Sequence, residues 1–162
     1  MRKTLMAVAA VVALLGLAVG GYRYLNYPPT ELVAQLHSAV MVGDAKQVNE
    51  LLAQNRRLAR ARYKKHTILV TAACTYSPIP HQTEICTALL THGADPNAEA
   101  GAPLHGAIYC GNAELVSVLL QHGADPQCRP ATSGGRTPYD DAKWRGVADI
   151  VKLFDERAAK AK

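Results

Sequence analysis

The sequence predicts an all-α fold, a repeat solenoid of about four helix pairs behind an N-terminal hydrophobic helix. Three observations carry that expectation. Similar units begin near residues 34, 67, 102 and 137, at steps of 33, 35 and 35, and self-similarity at such a period marks stacked repeats. Within a unit two short apolar stripes flank a glycine break, and neither is long enough to persist as an isolated helix in water. Ahead of the units, Leu5 to Gly21 carries no charge and no strong polar group.

The N-terminal run follows a basic start, Met1-Arg2-Lys3, and is 17 residues long. A membrane span takes about 17–25 apolar residues, whereas the apolar centre of a secretory signal takes about 7–15. Ala18-Val19-Gly20 offers a small-x-small exit for cleavage. Tyr22, Arg23, Tyr24 and Tyr27 instead suit a lipid–water interface. Residues 1–23 are therefore expected to be a transmembrane anchor or a signal peptide, with the anchor preferred. No cysteine precedes Cys74, which excludes a lipid-modified N-terminal cysteine. Arg2 and Lys3 hold the amino terminus in the cytoplasm and the remainder crosses. The expected location is a bacterial inner membrane, single-pass, with the repeat domain in the periplasm, or a soluble periplasmic domain after cleavage.

Residues 24–29 read as a linker, because Pro28 and Pro29 end any helix and hold the chain extended. The repeat domain spans 30–159. Thr30 is the expected N-cap of a first pair, Leu32 to Val42 and Asp44 to Gln54, which serves as the terminal cap. Asn55 to His66 holds Arg56, Arg57, Arg60, Arg62, Lys64 and Lys65 and few apolar residues. It is expected to be a solvated projecting loop, or else a docking surface for an acidic partner or an anionic membrane face. The second unit opens at Thr67-Ile68-Leu69-Val70-Thr71-Ala72-Ala73 and closes with Ala88 to Ala98. Its step from Thr67 to Gly93 is five residues longer than that from Ala102 to Gly123. The excess falls in Thr75 to Gln82, where Pro78 and Pro80 forbid a helix. It is either a working insertion or a neutral loop extension.

The third unit is the clearest. Pro103-Leu104-His105 opens its first helix and Gly111-Asn112 breaks it. Leu115, Val118 and Leu119 then form the stripe of a half-buried helix that Gly123 stops. Glu99-Ala100-Gly101 is a shortened projecting loop before it, and Cys128 to Arg136 a longer one after it. The fourth unit restarts at Thr137-Pro138-Tyr139 and ends with Val147 to Ala159, whose charges Asp149, Lys152, Asp155, Glu156 and Arg157 suit an outer solvated cap.

Ala102-Pro103-Leu104-His105, Thr137-Pro138-Tyr139 and the two HGADP runs, His92 to Pro96 and His122 to Pro126, resemble the ankyrin repeat family over roughly Thr30 to Glu156. The resemblance implies a right-handed stack of helix pairs with loops projecting from one side. It also implies a protein-binding role with no catalytic residues to carry over. Positions 8 and 9 of each unit then end the first helix and face the concave side. They are Met41, Cys74, Tyr109 and Trp144, and Val42, Thr75, Cys110 and Arg145. A nearly apolar row stands there, where a free monomer prefers polar groups. Trp, Tyr and Arg are common interface anchors, so Tyr109, Trp144 and Arg145 are expected to carry partner binding. The competing expectation is that Trp144 folds down onto the last unit as packing.

Four cysteines in an exported chain invite disulfides. Cys86 is expected to be a buried thiol and Cys128 unpaired. Cys74 with Cys110 is the candidate pair, with Cys74 and Cys86 a weaker one, against a Cα separation limit of about 4.4–6.8 Å. His92 and His122, like His37 and His105, occupy equivalent repeat positions without the spacing of a zinc site. His105 is expected to brace a loop by hydrogen bonds. Asp140-Asp141 begins a helix whose dipole it complements. No phosphate loop, nucleophile elbow or metalloprotease motif is present, so neither an enzyme nor a cofactor is expected.

The formal charge of +5 overstates the basic character. Without Arg2, Lys3 and Arg23 it is +2, and without the six cations of residues 56–65 it is −4. A mildly acidic body with one basic segment does not suit nucleic acid. The expected function is an exported protein-binding module, tethering or sequestering a protein partner through its concave face, in the manner of an inhibitor or immunity protein. It has a membrane attachment through its N-terminal segment and no small-molecule substrate. A redox-linked envelope factor using Cys74 and Cys110 is the alternative.

Overall fold

The computed structural model describes residues 28–75, 79–129 and 134–160. Among these residues eight α-helices form four antiparallel pairs: α1 (Thr30–Val42) with α2 (Ala45–Gln54), α3 (Ile68–Ala73) with α4 (Gln82–Thr91), α5 (Ala98–Tyr109) with α6 (Ala113–Gln121), and α7 (Pro138–Arg145) with α8 (Ala148–Lys160). Each helix meets its counterpart in the next pair. The first helices α1, α3, α5 and α7 form one row, and α2, α4, α6 and α8 the other. The result is a linear stack, as the repeat period predicts. The expected N-terminal hydrophobic helix falls outside the described residues. Among those described, no helix is long and apolar enough to cross a membrane.

Each pair presents its apolar stripes to its own partner and to the neighbouring pair. Leu36, Leu52, Leu69, Ile85, Leu89, Leu104, Ile108, Leu115 and Leu119 are all buried in one cluster that extends to Ile150 and Phe154 at the far end. A short pair sheltering both sides of its apolar surface only through neighbours is the physical basis of a repeat stack. The second and third units approach closely at Gly106, where a Cβ would lie 2.8 Å from the Ala73 carbonyl oxygen and would also strike the Cys74 sulfur.

Polar side chains set the helix starts. Asp44 accepts from the Gln47 amide at 2.9 Å, Thr67 from Val70 at 3.3 Å, Asn112 from Leu115 at 2.9 Å and Thr137 from Asp140 at 3.2 Å. These satisfy donors that a helix start leaves open. Thr30 does not cap α1: Pro29 occupies that place and no side chain bonds there. Gly93 and Gly123 close equivalent helices at φ +91° and +90°, a conformation that only glycine adopts without strain. The loops after them tie unit to unit. Asn97 Nδ2 donates to the Gly123 carbonyl at 3.0 Å and its Oδ1 accepts from the Asp125 amide at 2.7 Å.

Three segments differ from the sequence expectation. Residues 55–67 are not an open loop. A 3₁₀ helix (Arg56–Arg60) and a two-stranded ribbon, β1 (Arg62–Tyr63) and β2 (His66–Thr67), fold there, paired Arg62 to Thr67 and Tyr63 to His66. Leu58, Ala59 and Ala61 are buried and anchor the segment. In the insertion, Ile79 is buried and Pro80 lies against Gly43 of the first unit, so its described end packs back onto the stack. Glu99, Ala100 and Gly101 run consecutively at φ +53°, +59° and +86°, a left-handed turn inside the first part of α5. Glu99 holds that turn to the previous unit by accepting from the Thr67 amide at 2.9 Å and meeting His66 Nδ1 at 2.7 Å.

Candidate functional site

The seven candidate residues and Val42 all stand at or just past the C-terminal ends of first helices, the end remote from the projecting loops. Met41 and Val42 are 48% and 65% exposed, Tyr109 53% and Trp144 67%. These four are the large hydrophobic side chains found exposed among the described residues, and all four belong to the predicted row. Cys74 and Thr75 are half-buried and Cys110 is exposed. The row is joined from the second unit to the fourth: Cys110 Sγ donates to the Thr75 carbonyl at 3.1 Å, and Arg145 reaches back over the Tyr109 ring at 4.4 Å from its centroid.

At the third and fourth units the row becomes an organised patch. The Arg145 guanidinium lies 5.5 Å from the Trp144 ring as well, and the Arg136 guanidinium stacks on Trp144 at 4.4 Å. Trp144 is thus flanked by cations instead of folding onto the apolar core. Asp141 fixes both arginines. Its side chain is 3% exposed, with Oδ1 accepting from Arg136 Nε at 3.2 Å and Oδ2 from Arg145 Nε at 3.0 Å. His105 Nδ1 of the preceding unit lies 3.5 Å from the same Oδ2. Two guanidiniums against one carboxylate leave the patch with one net positive charge beside two exposed rings. Cation–ring contacts and a fixed fork hold these side chains in place before any partner arrives, which lowers the ordering cost of binding.

Two residues take roles the sequence reading did not assign. Asp141 was expected to serve the helix dipole with Asp140. Asp140 does lie at the α7 start, bonded to Thr137, but Asp141 turns inward to become the hub. The signal for it was present: Asp141 and Arg145 are four apart on one helix, the spacing at which side chains meet. His105 faces both the Cys128 backbone, at the start of the long loop, and Asp141 of the next unit. Neither ring nitrogen finds a hydrogen-bond partner of good geometry among the described residues, and the ring faces Asp141 across the unit boundary. Burial pushes its pKa below the ordinary histidine value despite the opposing pull of Asp141.

All four cysteines are free. The Cys74 thiol donates to the Ala102 carbonyl at 3.3 Å, while that of Cys110 turns to Thr75. Burial, helped by the nearby Cys110 thiol, pushes Cys74 up to about 12, and burial pushes Cys86 up to about 12. Cys110 is raised by burial too, although Arg145 opposes the shift. A reactive redox thiol requires a lowered pKa, so these environments weigh against the redox alternative. Among the described residues no group of His, Cys, Asp and Glu is placed to hold a metal ion.

A family model described as ankyrin repeats (3 copies) matches residues 36–130 and again 81–161. Among curated proteins none matches the chain.

Proposed function

The chain belongs to the ankyrin repeat family and is a protein–protein interaction module, and on that premise we propose that it captures its partner through the helix-end row centred on Tyr109, Trp144 and Arg145. The observation that carries this reading is the confinement of exposed Met41, Val42, Tyr109 and Trp144 to one edge of the stack. Water-exposed apolar side chains aligned over several units favour a binding role, and aromatic residues beside Arg are where interface energy concentrates.

In this reading the module works outside the cytoplasm. The charge-free run Leu5 to Gly21 behind Arg2 and Lys3 supports export. Exported and held at the membrane face, a small stack of this kind would sequester its partner, as an inhibitor or immunity-type protein does. The test uses the full chain in its own membranes, with a photocrosslinking residue placed at Thr75 or Cys110. The same protein should be captured from both positions. Tyr109→Ser with Trp144→Ser should abolish that capture while far-UV circular dichroism stays unchanged. Undiminished capture by the double variant overturns the assignment of the row.

A further inference from the structure

We propose that the basic hairpin between the first two helix pairs is a docking strip for an acidic segment of the protein partner, an inference that rests on the protein-binding reading above. Six cations fall within residues 56–65, and the fold employs two of them. Arg60 Nε donates to the Gly93 carbonyl at 2.7 Å. Arg62 pairs with Glu99 at 3.5 Å and donates to the Lys65 carbonyl. The other four, Arg56, Arg57, Lys64 and Lys65, are exposed. None of them forms an ion pair among the described residues; Lys64 lies 5.5 Å from the Tyr63 ring and near His37, whose pKa its charge helps to lower.

These four stand on a fixed base. Leu58 and Ala59 are buried beneath the 3₁₀ helix, the ribbon is closed by its two residue pairs, and Tyr63 stacks on His37 with ring centroids 4.0 Å apart. The tip of the ribbon is costly for the residues it carries. Lys64 sits at φ +56°, a left-handed position that Asn or Gly fills with less strain. Lys65 beside it adds a like charge. The Tyr63 ring under Lys64 and the Arg62 bond to the Lys65 carbonyl hold the tip in place, so its two ammonium groups are presented to solvent from a fixed position.

The field of this strip is local. Outside it the array carries −4 in sum, so an approaching acidic segment is drawn chiefly to the hairpin, which sets both orientation and on-rate. Single-stranded nucleic acid fits poorly, because binding it uses aromatic faces for base stacking and the Tyr63 face is occupied by His37.

The test uses the full chain in a zwitterionic detergent with a labelled ten-residue oligoglutamate peptide as probe, read by fluorescence anisotropy. Binding should weaken markedly from about 50 to about 200 mM salt, where charge screening tightens. Replacing Arg57, Lys64 and Lys65 by Gln should lower affinity at least about tenfold, on the scale of a lost charge contact. Replacing Lys46, Lys152 and Arg157 by Gln removes the same net charge and should change affinity less than about twofold, as exposed charges elsewhere do. Equal losses in the two triple variants, or no peptide binding at all, overturn the strip. So does tract-dependent binding to phosphatidylglycerol vesicles with none to the peptide, which assigns the hairpin to lipid. The peptide assay needs neither Tyr109 nor Trp144. Its failure with intact crosslinking from the helix-end row overturns the strip alone, and the reverse pattern overturns the row alone.

Discussion

Asp141→Asn tests the hub that joins the third and fourth units to the exposed patch. The substitution keeps the shape of the side chain and removes its charge. Two cations then lose their counter-ion, Arg145 at 3.0 Å and Arg136 at 3.2 Å, and the His105 ring loses the carboxylate it faces at 3.5 Å. Breaking a fully buried pair costs about 3–5 kcal/mol, because the surviving charge is stranded. Here the arginine side chains are 25% and 35% exposed and can turn toward water, where a pair is worth about 0–1 kcal/mol. Between those limits a loss of about 2–3 kcal/mol follows. For a domain of this size that lowers the melting temperature by roughly 6–12 °C. Urea unfolding at neutral pH, followed by far-UV circular dichroism, reads the stability directly. Asp140→Asn, one residue away at an exposed position, is the control and should cost distinctly less. A loss below about 0.5 kcal/mol for Asp141→Asn, the range of an ordinary surface change, would refute the hub. Equal losses at 140 and 141 would also refute it.

Three further outcomes follow from other parts of the structure. Gly106→Ala should destabilise by about 1–3 kcal/mol through overpacking, although alanine is the better helix former, because its Cβ meets the Ala73 carbonyl at 2.8 Å; a shift of the urea midpoint to higher concentration would contradict the close approach of the second and third units. Partial burial pushes the Glu99 carboxyl up, but its bonds to His66 and the Thr67 amide, with the charges of His66 and Arg62, outweigh that and hold it below the usual carboxylate range. Its folded pKa is therefore depressed, so the stability it adds is present above about pH 4.5 and is lost as pH falls through the folded value. Glu99→Gln should consequently flatten acid unfolding in that window, and a parallel acid profile would count against the clasp. Alkylation of the folded chain at mildly alkaline pH should modify Cys110 first and leave Cys86 untouched, with Cys74 slow, since both Cys74 and Cys86 are pushed up to about 12; rapid loss of Cys74 by mass spectrometry would mean that its surroundings open.

The stack itself was legible because its signals are local and repeated. Leu115 and Leu119 at helical spacing, the Gly111 and Gly123 breaks and the paired HGADP runs each recur at the same register, and all take their expected places. The helix-end row was legible for the same reason, since a repeat position fixes where a side chain stands along its helix. What escaped depends on contacts between units. Leu58 is the one large aliphatic residue in a basic run, without periodicity to mark it, and the neighbouring helices bury it. Ile79 lies between Pro78 and Pro80 in a stretch that reads as a bulge, yet Ile79 is buried and Pro80 lies against Gly43. Asp141 looked like half of an acidic pair at a helix start. Its role appears only when Arg136, Arg145 and His105 converge from three segments, a convergence that no linear spacing encodes in full. The left-handed turn at Glu99 likewise depends on groups of the previous unit, the Thr67 amide that donates to its carboxylate and the His66 ring beside it.

Trp144 is the only tryptophan in the chain, so its emission reports on the patch without labels, and it tests most directly whether the row is kept open for a partner. In the free protein the spectrum should be red-shifted and acrylamide should quench it nearly as well as a free indole, in keeping with a side chain 67% exposed. Adding the captured partner should shift the emission to the blue and protect it. A blue, protected spectrum already present in the isolated folded chain would show that the chain itself covers the site, and the account would fail.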